Sequence, residues 1–162
     1  MTWDELTSVE VAPGVGIPRL SDVLALTPAD KTVYVEIKGA NIEELVVATI
    51  DEGSARCAVH SFDHAAIARC REIAPKLPRG VLFDASGPDA MIRQLESVDA
   101  RDLWPRWDSI DAALVKRAHD AGARVIAWTV NSPADALALV AMGVDGLCTD
   151  DVRLLDALEG QA

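Results

Sequence analysis

From residue 33 onward, short apolar runs alternate with amphipathic stretches at a nearly constant interval, and no other feature constrains the fold as tightly. The runs begin near Val33, Cys57, Gly80, Arg101, Arg124 and Asp145, at intervals of 24, 23, 21, 23 and 21 residues. Each interval is the size of one strand and one helix joined by short loops. Six such units predict a parallel sheet with helices packed against it. The fourth run, Arg101-Asp102-Leu103-Trp104, is the least apolar. A closed barrel of eight units takes about 250 residues. Six units therefore predict either an open α/β sheet or a barrel short of two strands, and spacing alone does not choose. An open sheet usually carries a Gly-rich phosphate loop after its first strand, and no such motif stands here.

Punctuation residues support these boundaries. Asp63 precedes a helical stretch from His64, and its carboxylate can accept from the first free helix amides. Ser132-Pro133-Ala134-Asp135 offers a cap, a proline at the first helical position and an acid in the first turn. Gly122 and Gly143 stand where helices must stop and turn left-handed. A shorter helix is expected over Leu20 to Leu26, entered through Ile17-Pro18. No Pro/Gly-rich linker interrupts the chain, so residues 1–162 are expected to form one domain.

Of the 162 residues 50% are hydrophobic, and 26 acids against 15 bases give a net charge of -11. Nucleic acid and anionic membranes need clustered Lys and Arg, so neither is expected as a partner. No apolar run approaches the length needed to cross a bilayer. Met1-Thr2-Trp3-Asp4-Glu5 carries acids where a secretory signal would carry bases, which predicts a cytoplasmic protein. Cys57, Cys70 and Cys148 lack C-x-x-C spacing and are expected to be small core residues in a reducing compartment.

Chemistry in parallel α/β proteins gathers at the C-terminal strand ends. The first strand ends Val35-Glu36-Ile37-Lys38, and alternation puts Tyr34, Glu36 and Lys38 on one face, Val33, Val35 and Ile37 on the other. An acid and a base on one face are costly to bury unless they meet a metal, an anion or each other. His60, at the end of the second strand, is either a proton shuttle or a satisfied core histidine. Its neighbour Ser61 lacks a nucleophile-elbow motif. His64 and His119 fall on helices and are expected at the solvated surface. His119 and Asp120 diverge by about 100° and cannot act as one site. Trp128 either walls a pocket or plugs the core, and Asp150-Asp151 is expected to cap a helix. Glu36, Asp84 and Asp150 come from different strands and would meet only if the sheet curls. No self-contained metal motif is written in the chain.

Val35-Glu36-Ile37-Lys38, His60-Ser61-Phe62-Asp63, Ala127-Trp128-Thr129-Val130-Asn131 and Gly143-Val144-Asp145-Gly146 with Thr149-Asp150 together resemble the glycerophosphodiester phosphodiesterases, in order and in spacing. Ile17-Pro18-Arg19-Leu20 and Thr2-Trp3-Asp4-Glu5-Leu6 are similar to the segments that precede the family's Glu-x-Lys strand. The resemblance implies a partial (β/α)8-type barrel with about six parallel strands and outer helices. The implied reaction is metal-assisted hydrolysis of glycerophosphodiesters to glycerol 3-phosphate and an alcohol. A divalent cation, Mg²⁺ or Ca²⁺, is the implied cofactor. Glu36 matches the family's metal-binding Glu, Lys38 the Lys that faces the phosphate, and Trp128 the aromatic of the substrate pocket. His60 is carried beside them as a substrate-binding candidate. The family's His-Arg-Gly, Glu-Asn-Thr, Glu-x-Asp and His-Asp precede the part this chain resembles, so an N-terminally truncated domain is expected. A partial barrel exposes unpaired strands near Val33 and Gly146, which predicts a homo-oligomer joined through open edges. A non-catalytic relative that binds a phosphorylated ligand or a protein is the alternative.

Overall fold

In the computed structural model, which describes residues 2–159, every predicted strand is present within one residue of its expected start. The strands are β3 (Thr32–Glu36), β4 (Arg56–Ser61), β5 (Arg79–Phe83), β6 (Asp102–Pro105), β7 (Arg124–Ala127) and β8 (Gly146–Leu147). They form one parallel sheet in chain order, β3-β4-β5-β6-β7-β8. Between them run α3 (Glu43–Glu52), α4 (His64–Ile73), α5 (Pro88–Ser97), α6 (Ala112–Asp120) and α7 (Pro133–Met142), and α8 (Leu154–Glu159) follows. The order decides between the two predicted architectures. An open doubly wound sheet reverses its strand order at a switch point. Here each crossover advances one strand in the same direction, so right-handed connections put every helix on one side. The result is a curved six-stranded half-barrel with a concave face left bare of helices.

Before the sheet lie α1 (Trp3–Leu6), an antiparallel hairpin of β1 (Glu10–Ala12) and β2 (Val15–Gly16), and α2 (Leu20–Leu26). The Arg19 guanidinium sits 4.2 Å over the Trp3 ring, a cation–π contact that ties α2 back to α1.

Strand alternation sorts the side chains into two unequal cores. On the convex side Val33, Val35 and Ile37 pack with Val59, Val81, Leu103 and Val125, under Ile67, Met91 and Leu114 from the helices. The concave side carries a separate cluster of Leu82, Trp104 and Ile126, with Tyr34 and Trp128 against it.

The predicted caps form. Asp63 accepts from the Ala65 amide at 3.0 Å, and Ser132 from the Asp135 amide at 3.4 Å. Gly143 ends α7 at φ +91°, a backbone that a side chain rarely adopts. Asp151 accepts from the Arg153 amide at 3.0 Å just before α8, while Asp150 turns away to Asn131.

Two surface and core expectations are corrected. His64 is half-buried, with Nε2 2.9 Å from the Leu82 carbonyl and its ring 4.7 Å from that of Phe83. The first helical position faces the neighbouring strand here rather than solvent. Cys57 and Cys70 are buried, but Cys148 is exposed. It lies past the end of β8, a two-residue strand with no neighbour on its outer side among the described residues, so nothing covers it.

Candidate functional site

The C-terminal ends of the strands bring part of the expected site together. Glu36 closes β3, in register with His60 on β4. Lys38 Nζ reaches back to Glu36 Oε2 at 3.3 Å, and its side chain is 77% exposed against 28% for Glu36. The pair therefore stands on the rim, where water screens it. Lys38 keeps its charge pointed at solvent, available to an anion.

Trp128 lies just past β7, on the far part of the same rim. Its Nε1 donates to the Trp104 carbonyl at 2.9 Å, and its ring meets Phe62 edge-on at 5.3 Å. Trp128 is thus fixed, half-buried, against the cluster of Leu82, Trp104 and Ile126. Asp84 does not join Glu36. It binds Arg106 at 2.8 Å, and Arg106 is held again by Asp108. Asp150 accepts from Asn131 Nδ2 at 2.8 Å.

Behind the rim, a trough of ≈ 580 Å³ runs down the concave face. Glu36, His60 and Cys148 lie along it, with Trp104 and Ile126 in its wall and Arg124 at its lower end. His60 is 8% exposed and Trp104 5%, with ring centroids 4.4 Å apart in an edge-on arrangement. His60 Nδ1 and Trp104 Nε1 have no hydrogen-bond partner among the described residues. Burial pushes the His60 imidazole below its ordinary value, against the opposing pull of the Glu36 and Asp102 carboxylates. A neutral imidazole at pH 7 follows, able to donate or accept at Nδ1.

The trough ends in a network that no local pattern announces. Asp102 is 1% exposed and accepts from Arg101 Nε and Nη2 at 3.0 and 2.7 Å and from Arg124 Nε at 2.8 Å. The Tyr34 hydroxyl accepts from Arg124 Nη2 at 2.8 Å and from Arg101 Nη2 at 3.4 Å. Two guanidiniums thus share the Asp102 carboxylate, and Asp145, which lines the same trough, also feels the Arg124 charge. Arg101 and Asp102 stand at the start of β6 and Arg124 at the start of β7, while Tyr34 is the middle residue of β3. A charged residue at the start of a strand was the only signal available, and at the starts of β6 and β7 it read as ordinary punctuation.

The described residues do not fit a divalent cation by themselves. No group of three His, Cys, Asp or Glu side chains is placed to hold one. Glu36 is a single carboxylate already paired with Lys38, and hard cations take six or more oxygens. Among the described residues no helix is long and apolar enough to cross a membrane.

A same-direction parallel half-barrel with a Glu-x-Lys rim places the molecule among (β/α)-barrel proteins that work at the C-terminal strand ends. Residues 1–154 match the model of the glycerophosphoryl diester phosphodiesterase family, and the chain belongs to that family. It is 30% identical over 150 residues to the glycerophosphodiester phosphodiesterase of Caldanaerobacter subterraneus subsp. tengcongensis, a match that covers 88% of this chain and 61% of that protein. The chain therefore spans about three fifths of that relative's length. A solved structure from Silicibacter pomeroyi, assigned to the glycerophosphoryl diester phosphodiesterases, superposes with a TM-score of 0.83 at 29% identity, over 91% of this chain and 58% of the other. An Oleispira antarctica phosphodiesterase solved with its product sn-glycerol-3-phosphate shares the fold, with a TM-score of 0.69 at 24% identity over 76% and 53% of the two chains.

Proposed function

We propose that the chain serves the hydrolysis of glycerophosphodiesters to glycerol 3-phosphate and an alcohol, with its rim holding the phosphate. The observation that carries this reading is the exposed Lys38 ammonium held beside Glu36 at the end of β3. A fixed cation at that point stabilises charge that builds on phosphate oxygens during attack. Trp128, braced by Trp104 and Phe62, supplies a wall for the glycerol or alcohol portion. His60, neutral and set back in the trough, is a ligand-facing hydrogen-bonding group. Glu36 is the candidate ligand for the divalent cation, Mg²⁺ or Ca²⁺, that the family reading brings. The remaining ligands must come from outside the described residues, so no step is assigned to the metal. The product held by the Oleispira relative supports a small phosphorylated ligand for this chain too. We read the protein as cytoplasmic and as self-associating through its sheet edges.

The test is glycerol 3-phosphate release from glycerophosphocholine and glycerophosphoethanolamine, with Mg²⁺, Ca²⁺ or EDTA. EDTA should abolish turnover. Lys38→Ala should lower the rate by roughly 10²-fold or more, the usual effect of removing one preorganised charge-stabilising group, and Glu36→Ala should abolish the metal-dependent turnover. The absence of any metal-binding cluster among the described residues favours a second reading, a non-catalytic binder of phosphorylated ligands. A folded sample that binds glycerol 3-phosphate in a Lys38-dependent way, yet turns over nothing, would establish that alternative.

A further inference from the structure

Helix α3 buries Glu43, Val46, Val47 and Ile50, the i, i+3, i+4 and i+7 positions of one core-facing stripe. Glu43 breaks that stripe, a carboxylate where the pattern calls for an apolar residue, while Leu45 beside it stands 69% exposed. Departures of this kind gather where a site needs them. Glu43 is 8% exposed, yet it has no hydrogen bond or ion pair with any other described residue. Neither of its carboxylate oxygens is sealed from solvent, in contrast to His60 Nδ1. The N-terminal dipole of α3 favours the charge there but gives neither oxygen a donor.

The opening is a cleft of ≈ 420 Å³ between α3 and the start of α4. Glu44, Asp63 and Arg69 line it together with Glu43, beside the small side chains of Ala65 and Ala66. Arg69 is the one base in this lining among the described residues, and it is spent on Glu44 and Glu72, at 3.1 and 2.9 Å. Lys38, on the loop before α3, is turned to Glu36 instead. The negative potential reaches beneath the cleft, where burial, reinforced by Glu43 and Glu44, pushes the Cys70 thiol up to about 11.

We propose that this cleft binds a small primary ammonium ion, which donates to Glu43, Glu44 and Asp63 from behind the loop that carries Lys38. Charge selects a cation, since three carboxylates face one guanidinium. Spacing selects an organic cation, because no three acidic side chains among the described residues are placed to hold a metal ion. An ammonium instead directs three N–H groups outward to separate acceptors, and a short carbon tail lies against the two alanines. The volume falls within the range of roughly 300–1,000 Å³ usual for small-molecule pockets. The site is separate from the rim, and the proposal holds whether or not the rim hydrolyses anything.

Ethylammonium is the probe, titrated into the full 162-residue chain in sodium chloride at constant ionic strength and read by amide NMR and calorimetry. The expected result is saturable binding with a Kd on the order of 1 mM, near the ceiling for so small a ligand. Amides of Asn41, Glu44 and Ala65 should shift, and those around Trp128 should not. Tetramethylammonium carries the charge without an N–H and should bind at least about tenfold more weakly. Glu43→Gln should weaken ethylammonium binding by roughly ten- to a hundredfold, the worth of one charge-assisted hydrogen bond. Glu43→Leu completes the apolar stripe, so it should abolish binding while raising the urea midpoint of the free chain. The proposal is overturned if ethylammonium does not approach saturation by roughly 50 mM, if tetramethylammonium matches it, or if Glu43→Gln binds as the original chain does. It is equally overturned if Mg²⁺ or Ca²⁺ moves the same amides at lower concentration than ethylammonium. A fall in the urea midpoint of both Glu43 variants would also overturn it, because the carboxylate would then be holding the fold.

Discussion

Single side chains on the concave face show how tightly this surface is specified. A Cβ added at Gly80 would lie 2.7 Å from Trp104 Nε1, 2.8 Å from its Cδ1 and 3.1 Å from the Asp102 carbonyl oxygen. The indole can yield only by leaving its place against His60, and the carbonyl belongs to the adjoining strand. Gly80→Ala should therefore destabilise by about 1–3 kcal/mol, the usual cost of overpacking, and alter tryptophan emission, both read from a urea titration. His60 gives a pH prediction with a definite sign. Its folded value lies below the ordinary 6.5, so the unfolded chain takes up the proton first as pH falls. This stabilisation is complete above the unfolded value and is lost as pH drops through the folded one. Urea midpoints should fall from about pH 7.5 to about pH 5, and His60→Gln should flatten that part of the slope. An imidazole titration by NMR with its midpoint at or above 6.5 would contradict the assignment.

At the scale of elements, the helices are held by caps that the sequence displays and by faces that the sheet selects. The α6 helix starts at Asp111, whose Oδ1 accepts from the Leu114 amide at 2.7 Å. It buries Leu114, Val115 and Ala118 against the sheet. Asp111→Ala should cost about 1 kcal/mol in chemical denaturation, and Asp111→Asn, which keeps an acceptor, should cost much less. The strands show the reverse dependence. β8 has two residues and β6 has four, too short for propensity to define them, and they persist because a parallel neighbour supplies their hydrogen bonds. The same reasoning explains the corrected side chains. His64 is drawn towards Phe83 because α4 sits over β5, a neighbour that helical periodicity cannot name.

For the whole molecule, the self-association proposed above makes a prediction about behaviour in solution, because β3 and β8 have no outer neighbour among the described residues and unpaired strands favour partners. Light scattering at tens of micromolar (a concentration on the order of those at which exposed strand edges associate) should give a mass above the 17.3 kDa of one chain. A stable monomer that binds nothing at its edges would remove that expectation. Net charge works against association, since 26 acids face 15 bases, and added salt should therefore strengthen it.

The sequence by itself determined the six βα units, their caps and the two faces of β3. Each of these rests on residues within one element or on a constant spacing, and both survive without knowledge of the partner. It also carried the family resemblance, because Glu36, Lys38 and Trp128 sit in short recognisable runs. Spacing left open sheet and partial barrel undecided, the resemblance pointed to the barrel, and the tertiary structure showed it through strand order, a property of connections and not of any strand. The tertiary structure alone revealed the floor network, in which Tyr34 and Arg124 meet across 90 positions of sequence. It also showed that Asp84 and Asp150 turn to Arg106 and Asn131 instead of joining Glu36. Curvature brings distant strand starts together and sets strand ends apart, and curvature is the sum of every pairing in the sheet.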